Sequence, residues 1–465
     1  MLLMIRSERR HSVLKTPSAM STISSSNTAF ALELFRTLSQ TNPAGNIFVS
    51  PLSISSALAM VYLGAKGDTA AQMAQACYRK TPSAMSAVSN SNTVFALELF
   101  RTLSQTNSAG NIFVSPLSIS SALAMVYLGA KGDTAAQMAQ ALSFSSGEGV
   151  HADFQKLNAD INSPSASYIL KLANRLYGEN TAHFLPDFLE ATQKYYQADL
   201  KAVDFIGAPE ACRAEINSWV EQQTENKIKD LLKPGTVNAD TRLALVNAVY
   251  FKGNWRNPFE EANTKEMPFK IRQNETVPVQ MMYQEKKLPY NYIADHDLQI
   301  LELPYVAEEL SMFILLPKES SDGSDPLLKL EKELTQERLN EWTDRKNMEV
   351  DSEVVLHLPK FKLEEDYELN EPLAKLGMKD VFCAGRADLS GMNGEGGLFL
   401  STVAHKAFVE VNEEGTEAAA ATDAVMWFKC YIPDTHFTAD HPFLFFIRHN
   451  KTKSILFFGR FSSPQ

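Results

Sequence analysis

Apolar positions along the chain fall into three kinds of pattern. Phe95, Leu99 and Leu103 recur at helical spacing behind Asn92-Thr93, a pair able to cap a helix start. Ser118 to Leu128 (SISSALAMVYL) is apolar almost all round, which predicts a helix buried in a large core, ended by Gly129 and the Lys-Gly after it. Ala211 to Ile228 reads as a helix around Trp219. Arg242 to Phe251 (RLALVNAVYF) is apolar on both faces, as a strand inside a covered sheet must be. Leu298 to Tyr305, Leu310 to Pro317 and Val354 to Leu363 predict further strands, and Phe443 to Arg448 with Ser454 to Arg460 a hairpin about Asn450-Lys451-Thr452. Helices gathered early and strands late predict an α+β fold.

The front of the chain repeats itself. Residues 15–76 recur as residues 80–141, an offset of 65, and differ at five positions: Thr22/Ala87, Ile23/Val88, Ser25/Asn90, Ala29/Val94 and Pro43/Ser108. Cys77-Tyr78-Arg79 alone separates the copies. Two copies are too few for a solenoid, and one folded body has room for one such buried helix. The second copy runs straight into the rest of the chain, so the core belongs to it. This divides the chain into an extension, residues 1–84, holding the duplicate at 15–76, and a main domain, residues 85–465.

Composition narrows the function. Hydrophobic residues are 45% and charged residues 21% of the 465, a globular balance. The net charge of −11, with no long basic run, argues against nucleic acid as a partner. The start, MLLMIRSERRHSVLK, has an apolar run of five residues with its basic residues behind it, which does not fit a secretory signal. No apolar run approaches the roughly twenty residues that span a bilayer. Cys77, Cys212, Cys383 and Cys430 are scattered, without the spacing of a zinc site or disulfide framework. The expectation is a cytoplasmic protein, with no cofactor, metal or membrane partner. Sequons at Asn274 and Asn450 carry weight only in an exported chain.

Six long segments resemble one family in its own order: NIFVSPLSIS (Asn111 to Ser120), LVNAVYFKGNW (Leu245 to Trp255), HLPKF (His357 to Phe361), ADLSGM (Ala387 to Met392), HKAFVEVNEEGTEAAAAT (His405 to Thr422) and FTADHPFLFFI (Phe437 to Ile447). Residues 85–465 resemble a serpin, of the ovalbumin-type (clade B) group that lacks a signal peptide, with release from the cell without one as the alternative to a cytoplasmic place. The resemblance implies three β-sheets, about nine helices and an exposed reactive loop between Gly415 and Pro433. It also implies a suicide mechanism. A serine protease attacks the loop, its serine forms an acyl-enzyme, and the cut loop inserts into the central sheet before water releases it.

GTEAAAATD taken alone favours a helix, since alanine is the best helix former. Insertion as a strand instead needs one face free of charge. Thr416, Ala418, Ala420, Thr422, Ala424, Met426 and Phe428 form such a face, and both charges, Glu417 and Asp423, lie on the other. The hinge implied by the family is Gly415, Thr416, Glu417, Ala418, Ala419, Ala420, Ala421 and Thr422. Counting along the family's loop puts the cut bond between Lys429 and Cys430, and a lysine there suits a trypsin-like partner with a carboxylate in its pocket. A shift of one residue offers Phe428 to a chymotrypsin- or elastase-like protease. Cys430 has no activating base nearby in sequence and reads as the residue after the cut.

Ser115, Ser118, Asn247 and His405 match the family's shutter, the polar cluster beneath the sheet that must open. Trp255, Lys360 and Glu413 match its breach, where insertion starts, with Lys360 and Glu413 expected to pair. The sequence holds no Gly-x-Ser-x-Gly elbow, His-Glu-x-x-His or phosphate-binding glycine loop, so no enzyme is expected. A serpin that is merely cut at Lys429, without trapping, is the competing reading. A monomer is expected, and the duplicate segment opens a route to domain swapping.

Overall fold

A computed structural model of the chain describes residues 84–144, 149–163, 166–272, 275–319, 325–415 and 435–464. The first copy of the repeat, Cys77, Asn274, the hinge from Thr416 to Thr422, Lys429 and Cys430 lie outside the described residues. The described chain opens with three helices from the second copy: α1 (Ala84–Thr106), α2 (Pro116–Gly129) and α3 (Gly132–Ala141). Then follow α4 (Val150–Ile161), α5 (Pro186–Tyr196), α6 (Pro209–Gln223), α7 (Pro326–Glu333), α8 (Gln336–Trp342), α9 (Asn370–Lys375) and α10 (Ser390–Asn393). These make ten α-helices among the described residues, one more than the resemblance implied.

The strands form three sheets, as the resemblance implied. A five-stranded sheet is ordered β11 (Phe361–Glu368), β12 (Leu400–Val411), β4 (Leu243–Lys252), β2 (Ile169–Glu179), β3 (Leu200–Val203). A six-stranded sheet is ordered β1 (Ile112–Val114), β15 (Ser454–Phe461), β14 (Phe443–His449), β9 (Leu310–Pro317), β8 (Leu298–Pro304), β7 (Tyr290–Ile293). A four-stranded sheet is ordered β13 (Thr435–Thr438), β10 (Glu353–Pro359), β6 (Glu275–Lys287), β5 (Lys265–Arg272). No described helix is long and apolar enough to cross a membrane.

α2 lies at the centre. Leu117, Ile119, Leu123, Met125 and Val126 are all buried, each side chain adding about 1.5–3 kcal/mol relative to exposure. The helix stops as expected at Gly129, where closeness as well as helix-breaking favours glycine. A Cβ there would meet the Met392 side chain at 2.3 Å.

Several sequence expectations are corrected. Asn92 and Thr93 do not cap α1; they lie inside it, because buried partners satisfy them. Asn92 Nδ2 donates to the Ile455 carbonyl at 3.0 Å, and Thr93 Oγ1 to the Ser89 carbonyl at 3.0 Å. The helix around Trp219 ends at Gln223 rather than Ile228, since Thr224 Oγ1 donates back to the Val220 carbonyl and accepts from the Ile228 amide. The strand read over Val354 to Leu363 is two strands in different sheets, β10 and β11, broken at Lys360. The hairpin of β14 and β15 is present with antiparallel register.

Candidate functional site

The five-stranded sheet contains an unusual junction. β4 and β12 lie side by side in parallel, while β2 and β11 run antiparallel to them on either flank. Pairing across the junction runs from Leu400↔Leu243 to Phe408↔Tyr250 and stops there. Beyond it, Phe251 and Lys252 still pair with Leu170 and Ile169, and Val409 to Val411 still pair with β11. The sheet is therefore notched at one end, between its two central strands.

Beneath the paired part of the junction sits a polar row whose two central members, His405 and Asn247, are buried. Tyr367, His405, Asn247 and Asn174 face one another in register across β11, β12, β4 and β2. His405 Nδ1 meets Asn247 Oδ1 at 2.5 Å, and Asn247 Nδ2 donates to Ser118 Oγ at 2.7 Å and to Asn174 Oδ1. At the start of α2, the Ser115 amide donates to His405 Nε2 at 3.2 Å, and Ser115 Oγ donates to the Leu456 carbonyl at 2.7 Å. These partners define the tautomer. Nε2 must accept, so the proton sits on Nδ1 and the ring is neutral. Burial agrees, pushing the His405 pKa down to about 3. Ser115, Ser118, Asn247 and His405 thus form one network, and it includes two residues that the sequence analysis did not single out. Asn174 bridges Asn247 and Ser118, and Tyr367 stacks beside His405 with ring centroids 6.3 Å apart. The only sequence signal for Asn174 was a lone amide in an apolar stretch, and strand register alone gives it a partner.

A second cluster closes the notched end. Lys360, at the bend between β10 and β11, donates from Nζ to Glu413 Oε2 at 2.8 Å, and Thr264 Oγ1 donates to Glu413 Oε1 at 2.9 Å. Burial alone would raise the Glu413 carboxyl. The bonds from Lys360, its own backbone and Thr264 outweigh that and hold it below the ordinary glutamate range. Trp255 stacks on Tyr305 with centroids 4.5 Å apart, and its Nε1 donates to the Asn412 carbonyl at 3.0 Å. Trp255, Lys360 and Glu413 therefore meet where β12 ends.

Gly415 marks where the described chain leaves this end. Its φ is +116°, and a Cβ would meet the Gly253 carbonyl oxygen at 2.4 Å, so conformation and closeness both require glycine. The chain resumes at Thr435, in β13, on the edge of the four-stranded sheet.

The model of the family Serpin (serine protease inhibitor) matches residues 25–89 and 90–464. The chain belongs to the serpin family. Leukocyte elastase inhibitor of Equus caballus is 57% identical over 380 residues, covering 82% of this chain and 100% of the relative. A crystal structure of maspin superposes with a TM-score of 0.76 at 38% identity, over 82% of this chain and 100% of that one. Uncleaved ovalbumin follows at 0.73 and 36%, over 81% and 100%. The chain is an ovalbumin-type (clade B) serpin, a protease inhibitor by family.

One expectation is corrected by these matches. Setting the chain apart from enzyme chemistry for want of hydrolase motifs used the wrong criterion. Its family and relatives are named as inhibitors of proteases, and that match, not the missing motifs, places the chain. Among the described cysteines, Cys212 is buried and Cys383 half-buried, and both are free. The Asn450 amide nitrogen donates to the Glu308 carbonyl at 2.9 Å and to Ser311 Oγ at 2.8 Å.

Proposed function

We propose that this serpin traps a serine protease covalently, with Lys429–Cys430 as the reactive bond and the notch between β4 and β12 as the place where the cut loop enters. The notch is the observation that carries this reading. A segment turning back from Gly415 would run antiparallel to both central strands, replacing one parallel pair by two antiparallel ones, the more stable pairing per residue. The uncharged face from Thr416 to Phe428 suits entry beneath the sheet. In this reading the protease serine attacks the Lys429 carbonyl and expels the Cys430 amine. The bond left behind is an ester between protease and Lys429, stranded when the loop is drawn in. Ser115, Ser118, Asn247 and His405 hold the sheet shut, Trp255, Lys360 and Glu413 guard its entrance, and Gly415 to Thr422 act as the hinge. Residues 85–465 form the inhibitory domain and residues 1–84 an extension to it.

The target is the finer question. Lys429 is the single feature that favours a trypsin-like protease, through its charge. The names of the relatives favour an elastase instead, with Phe428 as the alternative bait. Trypsin, chymotrypsin and leukocyte elastase, each mixed with the protein and run on a denaturing gel, separate these readings. A denaturant-stable band near the summed mass with trypsin, a released fragment beginning at Cys430, and loss of both in Lys429→Ala are expected. A stable band with chymotrypsin or elastase alone transfers the bait to Phe428. Clean cutting by all three with no stable band leaves a serpin that is a plain substrate.

A further inference from the structure

The four-stranded sheet carries a pair of histidines that neither the fold nor the loop chemistry uses. β13 pairs in parallel with β10 and with no other strand, so it forms an edge. The register sets Val355 against His436 and His357 against Thr438. These four positions share one face, opposite to the face of the fully buried Leu356 and Phe437. The two histidines are therefore diagonal neighbours across the strand pair. Such neighbours lie roughly 7–8 Å apart, a separation that two imidazole side chains span with one ion between them.

Their rings are also uncommitted. Among the described histidines, His151, His296, His405, His441 and His449 each bond through the ring to another side chain. His183, His357 and His436 do not, and His183 stands apart in the loop before α5. Burial, and repulsion from His436, hold the His357 pKa below the ordinary histidine value, with Asp440 opposing them. At neutral pH that ring is the free base, the form that binds a metal. His357 Nδ1 is buried and has no hydrogen-bond partner. The proton belongs on Nε2, and an unused lone pair is left on Nδ1. The Tyr283 ring packs against His357 with centroids 5.1 Å apart and limits its rotation.

We propose that His357 and His436 bind one divalent transition-metal ion, zinc by its preference for imidazole nitrogen, and that the ion fastens β13 to β10. No third histidine, cysteine, aspartate or glutamate joins them among the described residues, so water completes the tetrahedral shell. β13 is four residues long, and the described chain resumes there after the reactive loop. Besides β10, Gln299 holds it through one bond from Nε2 to the His436 carbonyl at 3.0 Å. A metal bridge makes this anchor of the loop answer to zinc. The two histidines sit on different strands, far apart in sequence, which is why spacing alone suggested no metal. The proposal holds whether or not the serpin traps a protease.

Zinc chloride titrated into the full chain at neutral pH by calorimetry tests it. The parent is expected to bind one ion more than H357Q or H436N, each of which removes half of the ligand pair. H183N, which alters the isolated ring, should bind as the parent does. Hydrogen exchange of the β13 amides should slow about tenfold when free zinc stands at about ten times its dissociation constant, and not at all in either variant. The urea midpoint without zinc reports whether each variant is folded. Should H357Q fail there, H436N carries the test, since His436 is exposed. Zinc uptake equal in the parent and H436N would place the ion on the cysteines or other histidines and overturn the site. Binding lost in H436N with no slowing of β13 in the parent would leave His357 out and overturn the bridge.

Discussion

The two polar clusters on the five-stranded sheet solve opposite problems. The row of Tyr367, His405, Asn247 and Asn174 is neutral, with His405 and Asn247 buried at its centre and Tyr367 and Asn174 half-buried at its ends, held by hydrogen bonds between uncharged groups under the middle of the sheet. The cluster at the notched end is charged and reaches solvent: Glu413 is nearly buried, but the Lys360 side chain is 42% exposed. A buried neutral network is costly to break, because each orphaned group loses its partner without regaining water. A half-exposed ion pair is cheap to break, because solvent replaces most of what is lost. The proposed entry of the cut loop at one end calls for this gradient, firm in the middle and loose at the rim.

The largest expected effect tests the firm end. Asn247→Ala removes the acceptor of His405 Nδ1–H and the donor to Ser118 and Asn174, and at about 1–3 kcal/mol per unsatisfied buried group it should destabilise the fold by about 3 kcal/mol or more. The measurement is the urea midpoint. A loss below about 1 kcal/mol would mean that water enters the row, and the contrast between the clusters would collapse.

Next comes pH. The His405 ring has a folded pKa near 3 against about 6.5 unfolded, so between those values the unfolded chain binds a proton that the folded one refuses. Stability should therefore fall as pH drops below about 6.5, by about 2 kcal/mol from this group between pH 7 and pH 5. His405→Asn should remove that share of the slope and leave the share of other histidines, such as half-buried His151 with its pKa near 4. An unchanged slope in the variant would refute the neutral, water-free ring.

The smallest effect belongs to the rim. Glu413→Gln keeps an acceptor but loses the charge paired with Lys360, and solvent limits the loss to about 1 kcal/mol or less. Because the folded pKa of Glu413 is lowered, its contribution is present above the unfolded glutamate value and fades only as pH falls below about 4.3. The two clusters should then respond to acid in separate windows, the histidine first. If Glu413→Gln cost as much as Asn247→Ala, the rim would be as firm as the middle and the graded opening would be wrong.

Much of this was legible from residue types. The apolar run of α2 and the doubly apolar β4 announced buried elements because nothing else accommodates such stretches in water. The residues of both clusters were found through family motifs, which keep chemistry in sequence order. Asn174, Tyr367 and Thr264 were missed because each acquires its role from register or from a bend that brings distant segments together.

By itself, then, the sequence determined the family, the α+β class, the duplicated front segment and the composition of the reactive loop, since all four reside in local patterns that one chain displays without folding. Only the tertiary structure decided that Lys360 divides two sheets, that Asn92 serves the core rather than a cap, and that the central strands part at one end. Those outcomes depend on which groups are left to satisfy one another once water is excluded, and that is a property of the packed whole.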